Sequence, residues 1–149
     1  MLSGKLIHLV EAHQEQVAAS IIREIRQHSE LGHLRRLPDA ELRERIQHIL
    51  ENLDDWLAGG FETEIARRYE ELGRVRYEES IPLSETIRAL CITKEKMIAF
   101  VDEQGLTKTF MQLYAEEEFE RRLGRFFDTL IIHVVHGYET ATRRAHALA

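Results

Sequence analysis

Cysteine, proline, glycine and long apolar runs are all scarce in this sequence, and each scarcity excludes something. The single cysteine, Cys91, permits no internal disulfide and no cysteine-based zinc site, which fits a reducing cytoplasm. No stretch approaches the about 20 consecutive apolar residues of a spanning helix. The densest run, Leu130 to Val135, is short and contains His133. At the N-terminus Lys5, His8, Glu11 and His13 interrupt the apolar positions, so no secretory signal core is expected there. An excess of basic residues is also missing. The 20 Lys and Arg stand against 26 Asp and Glu, a formal charge of −6 that opposes attraction to phosphate backbones or anionic lipid. A soluble cytoplasmic protein with neither a nucleic-acid partner nor membrane insertion is expected.

What is present is helical. With 44% apolar and 31% charged residues, the 149-residue chain reads as one domain over 1–149, too short for two comfortable cores. Leu6, Val10, Val17, Ile21 and Ile25 recur at three- and four-residue spacing and predict a first helix over 3–29, ended before Gly32. Pro38 suits the start of a second helix, which carries Leu42, Ile46, Ile49, Leu53 and Trp56 on one side and stops at Gly59-Gly60. A third, over 61–78, aligns Ile65, Tyr69 and Leu72 with Arg76, so its apolar stripe includes an arginine. Pro82 disfavours helical geometry at Ile81 and predicts a bend at Ser80-Ile81. A fourth helix follows, with Ile87, Leu90, Met97 and Val101, closed by Gly105. A short fifth is expected around Phe110 to Tyr114. The remaining chain places Phe119, Leu123, Phe126, Leu130, Val134 and Tyr138 at helical intervals with no proline to stop it. About 30 residues at 1.5 Å each make a rod of roughly 45 Å, longer than a domain about 30 Å across. Its last turns, 140–149, read as the start of a helical linker to which an effector domain would attach. No alternating strand-length run, internal repeat or low-complexity tract occurs, so the fold class is all-α with about six helices.

Tests for chemistry return little. A di-iron bundle needs Glu-x-x-His on two helices, and only Glu30-Leu-Gly-His33 fits, once and at a helix end. His133 and His136 share a helix face, where one could serve as an axial haem ligand or both could be hydrogen-bonded core or interface histidines; no His-Glu-x-x-His pattern accompanies them. No nucleophile elbow, phosphate loop or dinucleotide fingerprint is present, and Cys91 lies within an apolar helical face as a small core residue. No enzyme, cofactor or metal site is therefore expected. Four arginine doublets, at 35–36, 67–68, 121–122 and 143–144, have acidic neighbours and read as mixed-sign solvated faces. Trp56, Tyr69, Tyr77, Met97, Phe126 and Phe127 either form plain core or line a cavity for a small apolar ligand.

The segment Arg67-Arg68-Tyr69-Glu70-Glu71-Leu72-Gly73-Arg74, followed by Ser80-Ile81-Pro82-Leu83-Ser84-Glu85-Thr86-Ile87-Arg88-Ala89-Leu90, resembles the centre of the RsbR-type (RsbRD-like) N-terminal sensory domain family of bacterial stress signalling. The Leu6 to Ile25 helix, the Leu37-Pro38-Asp39-Ala40-Glu41-Leu42 start of helix two and the late Phe127 to Glu139 helix agree with it, in order. The resemblance implies a globin-like helical bundle that usually lacks haem, forms homodimers and passes a signal to an output module. Such modules include sulfate-transporter/anti-sigma-antagonist-type domains and histidine kinases. The family offers no shared catalytic or ligand residue.

The leading expectation is accordingly a non-catalytic signal-input and dimerisation domain that relays a stimulus through its long C-terminal helix. Helices one and six would supply much of the dimer contact, with Gly124 and Gly137 as points where a second helix can approach. The alternative from another class is a haem-binding gas sensor using His133 or His136.

Overall fold

A computed structural model of the chain describes residues 3–104 and 109–148. Among them are seven α-helices and no strand: α1 (Gly4–Ala12), α2 (Gln14–Gln27), α3 (Asp39–Glu51), α4 (Leu53–Ala58), α5 (Glu62–Glu78), α6 (Leu83–Gln104) and α7 (Phe110–Leu148), with a short 3₁₀ turn at Leu34–Arg36. The all-α expectation holds, as do the stops at Gly59-Gly60 and the long C-terminal helix. The helix count rises from six to seven for identifiable reasons.

The first and second expected helices are each two helices, broken by the same device. At His13 the imidazole donates to the Leu9 carbonyl at 2.9 Å, and the backbone N–H, displaced from that acceptor, turns to the Val10 carbonyl at 3.2 Å. At Asn52 the side-chain amide donates to the His48 carbonyl at 2.8 Å. In both places a side chain has taken the carbonyl that the residue's own N–H would use in an uninterrupted helix. Such a break leaves the apolar spacing intact, so periodicity cannot register it.

The bend expected at Ser80-Ile81 is a helix terminus in which Ser80 takes φ 60°, with Ile81 N–H donating back to the Arg76 carbonyl at 2.9 Å. That six-to-one bond with a left-handed residue satisfies the last carbonyls of α5. Conversely, the expected fifth and sixth helices are one, the 39-residue α7. Ala115 and Glu116 to Glu118 are good helix formers with no glycine or proline among them, and Ala115 is buried. The stop expected at Gly105 lies outside the described residues.

The core runs along the inner side of α7, where Phe119, Leu123, Phe127, Leu130 and Val134 are buried in one cluster with Ile7 and Val10 of α1, Ile21 and Ile25 of α2, Leu53 of α4 and Met97 of α6. The longest packed pair is α5 with α7; α6 also lies on α7, and α2 packs on α3 and α6. Arg26 closes the α2–α3 connection by donating to the Leu37 carbonyl at 2.8 Å and to Asp39 at 3.0 Å. Cys91 is half-buried rather than part of the core.

Candidate functional site

The feature that organises the rest of the molecule is α7, about 58 Å long at 1.5 Å per residue. Its position is set at three levels. Near its start, the Ser3 hydroxyl donates to Glu118 at 2.6 Å and accepts from Arg122 at 2.6 Å, which fastens α1 to α7. Half-way along, the core residues already named seal it. Farther on, α5 crosses it at two glycines: a Cβ on Gly73 would stand 2.2 Å from the Val134 carbonyl oxygen, and one on Gly137 would stand 2.0 Å from the Glu70 carbonyl oxygen. Backbone meets backbone there, which only glycine allows. Tyr138 adds a hydrogen bond from its hydroxyl to the Ile81 carbonyl at 3.1 Å and an edge-on contact with Tyr77, ring centres 5.5 Å apart. Beyond Gly137, no residue of 138–148 is buried.

Gly137 therefore does receive a second helix, but that helix is the chain's own α5. Gly124 has nothing within 4 Å of where a Cβ would sit. It lies on the outward side of α7, which the spacing of Tyr114, Arg121, Asp128 and Ile132 traces along the rod. Ile132 is 65% exposed on that side, and the first turns of α7 expose Phe110, Met111, Leu113 and Tyr114, the first of them 93%.

The other expected site residues fall in separate places. Glu30 pairs with Arg88 at 3.2 Å, whereas His33 contacts the buried Glu85 at 2.5 Å. Glu85 also accepts the His33 and Leu34 backbone N–H groups at 2.9 and 3.2 Å, so its carboxylate opens the 3₁₀ turn. Among the described residues, no three His, Cys, Asp or Glu side chains gather as a metal site would require. His133 and His136 both stand beside the Glu70 carboxylate, at 4.0 and 3.8 Å, His136 being the more exposed of the two.

The arginine doublets are not uniformly solvated. Arg67 and Arg121 are exposed, but their neighbours turn inward: Arg122 to Ser3, and Arg68 with its Nε buried. One residue is 100° of helix, so a doublet straddling the edge of an apolar stripe sends its members different ways. Arg76, only 3% exposed, is held by Glu41 at 2.9 Å and Glu79 at 2.6 Å, which explains an arginine in an apolar stripe. Glu118 has its carboxyl held below the ordinary 4.5, first by the Ser3 hydroxyl, which outweighs the opposing effect of desolvation, with the Ser3 backbone N–H and the Arg122 charge adding to it.

Of the six candidate cavity residues, Trp56, Met97, Phe126 and Phe127 are core, and Trp56 makes an edge-on contact with Tyr69 at 6.2 Å and a tilted one with Phe126 at 6.0 Å. Tyr77 packs on Tyr138. Tyr69 borders a partly open cavity of about 70 Å³ between α2, α3, α5 and α6, and Tyr77 also lines a groove between α5 and α7. Ser3 and Thr86 carry no signal in the one-dimensional pattern, whereas Gly73, a glycine inside an otherwise uninterrupted helix, is the hint that a backbone comes close.

These features define an all-α domain organised around one long C-terminal helix, fastened from Glu118 to Tyr138 and without a buried residue in its last turns. Residues 15–148 match the model of the RsbT co-antagonist protein RsbRD N-terminal domain, and the chain belongs to this family of stress-signalling domains. No curated protein and no solved structure matches it. No helix among the described residues is long and apolar enough to cross a membrane.

Proposed function

We propose that this is a cytoplasmic, non-catalytic signal-input and dimerisation domain, in which a stimulus displaces α5 against α7 and α7 carries the shift to an effector domain or partner protein. The observation that carries the reading is the uncovered end of α7: past Gly137 the helix continues over 138–148 without burying a residue. Family membership supports the stress-signalling setting. The crossing at Gly73 and Gly137 supports the relay, because backbone in direct contact with backbone passes a displacement on without side-chain rotamers to absorb it.

The second copy is placed on the outward side of α7, where Tyr114, Gly124, Asp128 and Ile132 form a stripe with two exposed apolar groups and one point of close approach. The tie between Ser3 and Glu118 sets α1 next to that half of α7, so the two helices share one surface. A stable pairing needs at least about 1,000 Å² buried. Light scattering across a concentration series is expected to return a dimer, and Ile132→Glu, which places a charge in the contact, should weaken it at least about tenfold with helicity unchanged. A wild-type monomer at the highest concentration would overturn the dimerisation reading.

A further inference from the structure

The cavity between α2, α3, α5 and α6 has apolar walls and a polar side on which Arg45, Arg68, Arg76 and Tyr69 are donors, with Thr86 able to donate or accept and Glu44 at the rim. Thr86 is 3% exposed, and its hydroxyl has no hydrogen-bond partner among the described residues; the buried Arg68 Nε has none there either, and both residues line this space. Tyr69, 4% exposed, also lines it. Burial drives the Tyr69 phenol pKa upward, opposed by the nearby charges of Arg68 and Arg45, so the hydroxyl keeps its proton and can donate. Arginine N–H groups cannot accept at all. Of the charges that line it, Arg76 is paired with Glu41 and Glu79, whereas Arg45 and Arg68 form no ion pair among the described residues and Glu44 is exposed.

Buried donors left without acceptors are costly, so two of them in one cavity call for an occupant that accepts hydrogen bonds. Water can accept, but it does not answer the positive charge, nor does it use the apolar walls. A carboxylate does both when it carries a short hydrocarbon tail. The volume sets the size: about 70 Å³ is roughly half the 150 Å³ of a cavity that takes benzene. We propose that this cavity is a binding site for a short-chain monocarboxylate of two to four carbons, with the carboxylate on Arg68, Thr86 and Tyr69 and the tail among the apolar side chains. The site lies within one chain, so it stands whether or not the domain dimerises.

Propionate labelled with ¹³C at the carboxyl group is the probe, titrated into the full chain and followed by NMR and calorimetry. Propionate is expected to bind with a dissociation constant below about 1 mM, and propan-1-ol, of similar size but neutral, at least about tenfold more weakly. Thr86→Val and Arg68→Met should each weaken propionate about tenfold while leaving the helical circular dichroism unchanged. Equal binding of propionate and propan-1-ol, no binding of either, or ordered water alone in the cavity of crystals grown with propionate would overturn the proposal. The wild-type comparison decides it even if both variants fail to fold.

Discussion

Ser3 and Glu118 are 115 positions apart, yet one hydroxyl and one carboxylate join them. The Glu118 carboxyl is held below 4.5 in the folded chain by that hydroxyl first, then by the Ser3 N–H and Arg122. A carboxyl with a depressed folded-state pKa stabilises the fold above its unfolded value, and the contribution disappears as pH falls through the folded value. Glu118→Gln should therefore melt at a lower temperature than wild type at neutral pH, with the gap closing as pH drops below 4.5. Thermal melts of the two proteins across that range measure it; a gap that stays constant into acid would mean the carboxylate charge is not what holds Ser3. Arg76 is a buried cation made tolerable by its two partners, Glu41 and Glu79.

Between elements, the decisive contact is α5 on α7. Gly137→Ala must drive a Cβ into the Glu70 backbone, which cannot rotate away as a side chain would, so α5 has to shift. The expected cost is about 1 to 3 kcal/mol, the range of overpacking, even though alanine favours helix by about 1 kcal/mol over glycine. Gly124→Ala on the same helix meets open space and should gain up to about 1 kcal/mol in an isolated chain. Urea denaturation at concentrations too low for association tests the pair: the midpoints should move in opposite directions. Equal shifts would contradict the close crossing. The helix breaks at His13 and Asn52 belong to this scale as well, because each lets a short helix turn to follow the surface of α6 or α7 without losing its apolar stripe.

At the scale of the whole molecule, α7 serves as both core and outer surface, since one side is covered by α1, α4, α5 and α6 and the other is exposed. Leu130, fully buried at the centre of that seal, is the position where a charge is least tolerable. Leu130→Arg should cost several kcal/mol, a large share of the about 5 to 15 that hold a domain together, and abolish the cooperative thermal transition. Ile132→Glu, two residues away but outward, should leave that transition in place and alter only association. If both variants melted like wild type, the assignment of the two sides of α7 would be wrong.

The amino-acid order alone determined the helical class, the start at Pro38, the stop at Gly59-Gly60, the bend at Ser80-Ile81 and the existence of a rod too long for its domain. Each of these is written locally, in a spacing of apolar residues or in a backbone that proline or glycine constrains. Tertiary structure decided the rest: that α5 fills the notch at Gly137, that Ser3 reaches Glu118, that Arg68 and Thr86 face one cavity, and that His33 serves a buried carboxylate. Periodicity records how much of each residue is covered but not by what. Which surfaces meet is a property of pairs brought together from distant parts of the chain, and no single stretch of sequence holds both members.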